Sequence, residues 1–179
     1  MRLLIITGRK AAGKTEFAKL FKEQGIPTVE MSDFIYQEMR KQGHFTMDAI
    51  EVGKFAKELR DKKGRDIVAR LAWDYIKTLD SELVVVSGAR SPEEIDFFRK
   101  VANPITLLVR ADDDIRYKRI VERAREGDVL TYEEFLKKEE LEDKLGLSQI
   151  IPDLIIENNG TFREFKEKAL RFLRFILNR

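Results

Sequence analysis

The chain has 179 residues, with 34 Lys and Arg against 32 Asp and Glu, a formal net charge of +2 and the two signs interspersed; this suits one domain and implies no nucleic-acid partner. With no Cys and one His, thiol nucleophiles, thiolate metal sites and dithiol redox chemistry are excluded, and a Ser-His-Asp triad has His44 as its single candidate imidazole. No window approaches the roughly 18 apolar residues of a membrane span, and the run Leu3-Leu4-Ile5-Ile6 is too short for a secretory signal, so a soluble cytoplasmic protein is expected.

Five short apolar runs read as strands: Leu3 to Thr7, Pro27 to Met31, Leu83 to Ser87, Ile105 to Val109 and Leu154 to Ile156. They are mostly continuous rather than alternating, which suits strands buried on both faces. Helical-period stretches lie between them, so the expected fold class is α/β, a parallel sheet with right-handed crossovers and helices on both sides.

Directly after the first run comes Gly8-Arg9-Lys10-Ala11-Ala12-Gly13-Lys14-Thr15, which fits G-x-x-x-x-G-K-[ST] at every fixed position and leads into a helical segment with Phe17, Leu20 and Phe21. Backbone N–H groups of such a loop surround phosphate oxygens, the lysine reaches the β- and γ-phosphates, and the threonine hydroxyl ligates Mg²⁺. A simple glycine turn would account for Gly8 and Gly13 but not for the Lys-Thr pair.

Asp33 stands just past the second run, at the carboxyl edge where parallel sheets place ligands; the plainer reading is a carboxylate in the first turn of a helix. The stretch from Phe34 to Leu79 is too long for one crossover helix and reads as two or three helices broken near Gly43 and Gly64. His44 reads as a solvated loop residue, and Trp73, with Ala69 and Ile76, as part of a core stripe. Arg90, beyond Gly88 at the edge of the third run, is placed to grip an anionic group through two parallel hydrogen bonds; an ion pair with Glu93 or Glu94 is the alternative.

The stretch from Asp112 to Gly146 reads as two helices broken near Gly127. Arg116, Arg119 and Arg123 fall on one helical face, from which a covering segment could neutralise charge on a transferred phosphoryl group, although Asp112, Asp113, Asp114, Glu122 and Glu126 are interspersed. The acidic run from Glu133 to Asp143 is expected to face solvent. Ser91, Thr131 and Thr161, each with a Glu three residues on, signal helix starts, and the last introduces an amphipathic helix through Phe165, Ala169, Phe172, Leu173 and Ile176.

On these residues the chain resembles P-loop small-molecule kinases, in particular dephospho-CoA kinases and archaeal adenylate-kinase-related proteins. The matching pieces are the Gly8 to Thr15 loop, Met31-Ser32-Asp33, Ser87-Gly88-Ala89-Arg90-Ser91, the stretch from Arg116 to Arg125, and Asp153 to Thr161 with its Asn158-Asn159-Gly160. The resemblance implies a P-loop NTPase fold with sheet order 2-3-1-4-5 over a single domain, 1–179, carrying an acceptor-binding insertion at 34–79 and a lid at 112–146. It implies Mg²⁺-dependent phosphoryl transfer from ATP to a small nucleotide-like acceptor, of dephospho-CoA or nucleoside monophosphate type.

By that resemblance catalysis falls to Lys14, Asp33, Arg116 and Arg119, and ATP binding to Gly8, Arg9, Lys10, Ala11, Ala12, Gly13, Lys14 and Thr15. Asn158 and Gly160 would pass the adenine mainly through backbone contacts, Asp33 and Arg90 would meet the acceptor, and Thr15, Asp33 and Ser87 would serve the metal. Ser87 departs from the family, which usually has Asp there. The alternative function is a P-loop ATPase or switch acting on an RNA or protein partner. No NKxD-type guanine motif is present, and the two D-x-x-G matches, at Asp61 and Asp143, follow helical segments rather than strands. Oligomeric state, acceptor identity and the choice between ATP and GTP have no signature in the sequence.

Overall fold

A computed structural model describes residues 1–46, 48–123 and 131–178. The strands β1 (Arg2–Thr7), β2 (Thr28–Glu30), β3 (Leu83–Ala89), β4 (Ile105–Arg110) and β5 (Leu154–Glu157) form one sheet in the order β2-β3-β1-β4-β5, every pair parallel. This is the order expected from the P-loop kinase resemblance. Around it pack α1 (Lys14–Lys22), α2 (Met31–Lys41), α3 (Ala49–Lys63), α4 (Ile67–Ile76), α5 (Pro92–Ala102), α6 (Asp113–Arg123), α7 (Tyr132–Lys144) and α8 (Phe162–Leu177), with a 3₁₀ turn at Leu147–Gln149. None of the described helices is long and apolar enough to cross a membrane.

Successive side chains of a strand point to opposite faces, and here both faces are covered, which explains the continuous apolar runs. Leu3, Ile5, Val84 and Val86 face a core shared with α2, α3, α4 and α5. Leu4, Ile6, Val85, Leu107 and Val109 face a second core closed by α1 and by the Phe165, Ala169, Leu173 and Ile176 stripe of α8. Each such side chain, when fully buried, contributes about 1.5–3 kcal/mol.

The second strand is contracted at both ends relative to expectation, whereas the other four run one or two residues longer. β2 falls short of Pro27 to Met31 because Pro27 has no N–H to give a ladder and Met31 is already the first residue of α2. Strand therefore passes into helix with Glu30 alone as the cap position. The 34–79 stretch holds the rest of α2 with α3 and α4, and Gly43 (φ 82°) and Gly64 (φ 100°) stand just past two of these helices, as expected. In the 112–146 stretch α6 and α7 are present, whereas Arg125, Glu126 and the expected break at Gly127 lie outside the described residues.

All three helix-start signals are used, but not identically. Thr131 and Thr161 make reciprocal capping boxes with Glu134 and Glu164. Ser91 accepts from the Glu94 N–H at 3.3 Å, yet the Glu94 carboxylate does not return to Ser91. It accepts instead from the Arg90 N–H at 2.8 Å and from the buried Arg60 guanidinium at 3.2 Å, tying α3 to the edge of β3.

Candidate active site

Parallel strands bring all their carboxyl ends to one edge, and the sequence-marked segments gather there. The residues from Gly8 to Gly13 link β1 to α1, and the Thr7 hydroxyl donates to the Ala89 carbonyl at 2.8 Å, pinning the ends of β1 and β3 together under the loop. Gly8 (φ 140°) passes so close to β4 that a Cβ would stand 2.2 Å from the Val109 carbonyl oxygen. Ala11 is left-handed at φ 62°, and Gly13, at φ 112°, would drive a Cβ to 2.5 Å from Asn158 Nδ2. The loop glycines are thus required by crowding as well as by conformation.

Side chains from two other segments, α6 and the turn after β5, hold the loop by its carbonyls. Arg116 donates to the Lys10 oxygen at 3.2 Å, Arg119 to the Ala11 oxygen at 3.3 Å, and the Asn158 amide to the Ala12 oxygen at 2.8 Å. The Lys14 ammonium donates to the Arg9 oxygen at 2.9 Å. In a planar trans peptide the N–H lies opposite the C=O, so with these carbonyls turned to their donors the N–H groups of Ala11 and Gly13 project the other way. Gly13 caps α1 without a side-chain hydrogen bond. The first-turn donors of α1 and the loop amides together make an anion-binding concavity.

The cations around this concavity have definite partners. Arg9 donates to Glu139 at 2.7 Å and to Asp143 at 2.5 Å. Arg90 pairs with Glu142, not with Glu93 or Glu94, which pair with Arg65 and Arg60. Arg116 is fully buried; it bonds Glu139 at 3.0 and 2.7 Å and Asp113 at 2.7 Å, and its guanidinium lies 5.1 Å from the centre of the Phe135 ring. Burial opposes the charge of Arg116, but the bonds to Glu139 and Asp113 prevail and hold its pKa above the ordinary value. Burial lowers that of Arg119, whose second partner is the Asn158 carbonyl at 2.8 Å.

Lys14 is pulled down to about 8, chiefly by burial and then by the Arg90 cation, with the Glu142 and Glu30 carboxylates acting against the fall. An ammonium so placed gains more from an incoming anion than an exposed one does.

The structure therefore brings Gly8 to Thr15, Arg90, Arg116, Arg119 and Asn158 to one place. Asp33 is exposed in the first turn of α2, and Ser87 is buried in β3, in register with Ile6 on one side and Glu30 on the other. Thr15 and Lys10 are exposed, and Gly160 precedes the Thr161 cap. His44 is exposed against Phe55, and Trp73 packs against the core beside α2 to α5.

Three features went unread in the sequence. Glu30, at the end of β2, has a carboxylate oxygen 4.0 Å from where a Cβ on Gly88 would stand, and it acts on the charge of Lys14. Asn158 works through its side chain as well as its backbone, joining the Ala12 carbonyl to Arg119. The acidic run from Glu133 to Asp143 does not simply face solvent: Glu139, Glu142 and Asp143, spaced i, i+3 and i+4, turn to the loop and its arginines. That spacing was the available signal.

A cavity of about 460 Å³ opens beside the loop, lined by Gly8, Arg9, Ala12, Arg110, Asp112 and Leu147 among others. Among the described residues no group of three or more His, Asp or Glu is gathered tightly enough to cage a metal. The Thr15 hydroxyl, exposed in the first turn of α1 beside the loop, is a hard oxygen ligand of the kind that suits a hydrated Mg²⁺.

No protein-family model matches the chain. Among solved structures, it superposes on TT1252 from Thermus thermophilus with a TM-score of 0.70 at 21% identity, covering 98% of this chain and 97% of that one. Shikimate kinase from Bacteroides thetaiotaomicron gives 0.62 at 17% identity with 99% of each chain covered. Dephospho-CoA kinase from Campylobacter jejuni gives 0.60 at 14% identity with 98% of each covered. These likenesses establish a P-loop kinase-like fold. In sequence, the chain is 36% identical over 182 residues to a UPF0200 protein of Sulfurisphaera tokodaii, covering 99% of this chain and 98% of the relative. With that identity sustained along both proteins, the chain belongs to the UPF0200 family.

Proposed function

We propose that the protein is a phosphotransferase that binds ATP with Mg²⁺ on residues 8–15 and transfers the γ-phosphoryl group to a small nucleotide-like acceptor, of dephospho-CoA or nucleoside monophosphate type. The observation that carries this reading is the loop itself: three consecutive carbonyls, of Lys10, Ala11 and Ala12, are held by donors from outside, while Lys14 is half-buried with a depressed pKa beside Arg90. A glycine turn serving only the fold needs none of that apparatus. The residues 34–79 form the acceptor-binding insertion and 112–146 the lid.

In this reading the amides of Ala11 and Gly13 and the start of α1 receive the β-phosphate, and Lys14 spans the β- and γ-phosphate oxygens as a point charge. Arg90, at the β3 edge, holds an anionic group of the acceptor. An acceptor oxygen attacks the γ-phosphorus in line, the bond to the β–γ bridging oxygen breaks, and ADP leaves. A hydroxyl acceptor gives its proton to Asp33; an ionised phosphate acceptor needs no base, and Asp33 with Ser87 would then help hold the hydrated metal. Thr15 would hold Mg²⁺, which when bound would supply positive charge to offset that of the phosphates. Arg116 and Arg119 act by fixing the loop, so most of the rate comes from positioning and preset electrostatics.

Incubation with Mg·ATP and a panel of nucleoside monophosphates, nucleosides and dephospho-CoA, with products identified by mass, tests the reading. A phosphorylated acceptor that disappears in Lys14→Ala is the expected result. ADP and free phosphate formed equally with every acceptor would overturn it in favour of an ATPase.

A further inference from the structure

Three arginines of the concavity, Arg9, Arg90 and Arg116, are engaged by carboxylates from one face of α7. Glu139 and Asp143 take Arg9, and Glu142 takes Arg90. These acids are not equivalent. The Glu139 side chain is 12% exposed and is also gripped by Arg116, which is itself 1% exposed, so removing it would strand a buried cation. Glu142 and Asp143 are 19% and 47% exposed, each has one arginine partner, and those partners, Arg90 and Arg9, are 47% and 26% exposed. Pairs of that kind are individually weak and exchangeable.

A carboxylate offers a guanidinium the same planar pair of acceptor oxygens as a phosphate. We propose that Glu142 and Asp143 are anion surrogates: in the unliganded protein they occupy Arg90 and Arg9 and hold α7 shut over the loop, and substrate phosphates displace them. The proposal rests on the phosphate-binding reading given above and adds its regulation. Glu139 stays with Arg116 as the fixed root of the helix, while the two outer carboxylates form the exchangeable part. The latch keeps weakly binding anions off the loop, and a ligand must supply negative charge at both arginines to free α7 completely.

The test compares the full-length protein with Glu142→Gln/Asp143→Asn and with a charge-matched control, Glu133→Gln/Glu140→Gln, which removes two exposed carboxylates from the same helix. Amide hydrogen exchange of α7 without ligand and the Kd for Mg·ATP are measured for each. The latch variant is expected to exchange α7 about threefold to tenfold faster, with α8 unchanged, and to bind Mg·ATP tighter by a similar factor. The control, which loses the exposed Glu133–Lys137 pair, is expected to change either by less than about twofold. Unaltered α7 exchange in the latch variant, or an equal gain in the control, overturns the proposal. Mg·ATP that fails to bind the wild type, or binds Lys14→Ala equally well, removes the phosphate-binding reading and the displacement with it, while α7 exchange still reports whether these contacts hold the helix.

Discussion

Arg116 and Glu139 meet in a two-pronged pair between α6 and α7, Nη1 to Oε1 at 3.0 Å and Nη2 to Oε2 at 2.7 Å, with the arginine side chain 1% exposed. Because the same guanidinium reaches the Lys10 carbonyl at 3.2 Å, the pair joins α7 to the phosphate loop. Glu139→Ala leaves a buried cation with Asp113 as its remaining carboxylate, and a loss of roughly 3 kcal/mol is expected. Urea unfolding monitored by circular dichroism checks it; a change below about 0.5 kcal/mol would show the pair to be idle.

The depressed pKa of Lys14, about 8 against an ordinary 10.5, makes stability depend on pH. Below about 8 both folded and unfolded chains carry the proton and the cost of burial is present in full. Between about 8 and 10.5 the unfolded chain holds a proton that the native one has released, so Lys14 makes stability rise with pH through that window. Lys14→Met is expected to remove this contribution, visible as a difference in slope between the two proteins' unfolding free energies. Nucleotide binding near pH 8.5 is expected to take up a proton, read from calorimetry in buffers of different ionisation enthalpy.

Two glycine substitutions separate crowding from conformation. Gly8→Ala places a Cβ 2.2 Å from backbone that cannot move aside cheaply, whereas Gly25→Ala, at φ 75°, has nothing within 4 Å. The second is expected to cost about 1 kcal/mol from backbone strain alone. The first is expected to cost roughly 2 kcal/mol or more and to weaken nucleotide binding as well. Equal losses in thermal unfolding would contradict the close approach of loop and β4.

Asn158→Asp keeps the shape of the side chain but removes the donor that holds the Ala12 carbonyl at 2.8 Å. A buried carbonyl set against a carboxylate is expected to lower stability by about 1–3 kcal/mol and to weaken Mg·ATP binding about tenfold. Asn159→Asp preserves an oxygen able to accept from the Asp112 N–H and is expected to leave ATP affinity within a factor of two of the wild type. Isothermal titration of both variants makes the comparison.

The parts legible in the sequence are those that local chemistry determines. Apolar runs marked five strands, Thr131 and Thr161 marked helix starts, and Gly13-Lys14-Thr15 marked the phosphate loop without any knowledge of what lies across from it. The unread parts depend on tertiary placement. Glu30 looked like a strand residue because only the register with Ser87 brings it to the same edge as Lys14. Glu139, Glu142 and Asp143 were hidden in a run whose charge suggests solvent, since composition does not say which face of α7 turns inward. Asn158 is expected from sequence to act mainly through its backbone, and its side-chain amide acquires meaning only through Ala12, far away in the chain.

The direct passage from β2 into α2, with Met31 helical straight after Glu30, limits how this protein can vary in length. A residue added or removed at that junction would rotate α2 by about 100° about its axis. Met31, Phe34, Ile35 and Met39 would leave the core, and Asp33 would swing to another side of the helix. Insertions and deletions can be absorbed after Gly43, which has open space around it, so engineered fusions or circular permutants belong there and not at the end of the second strand.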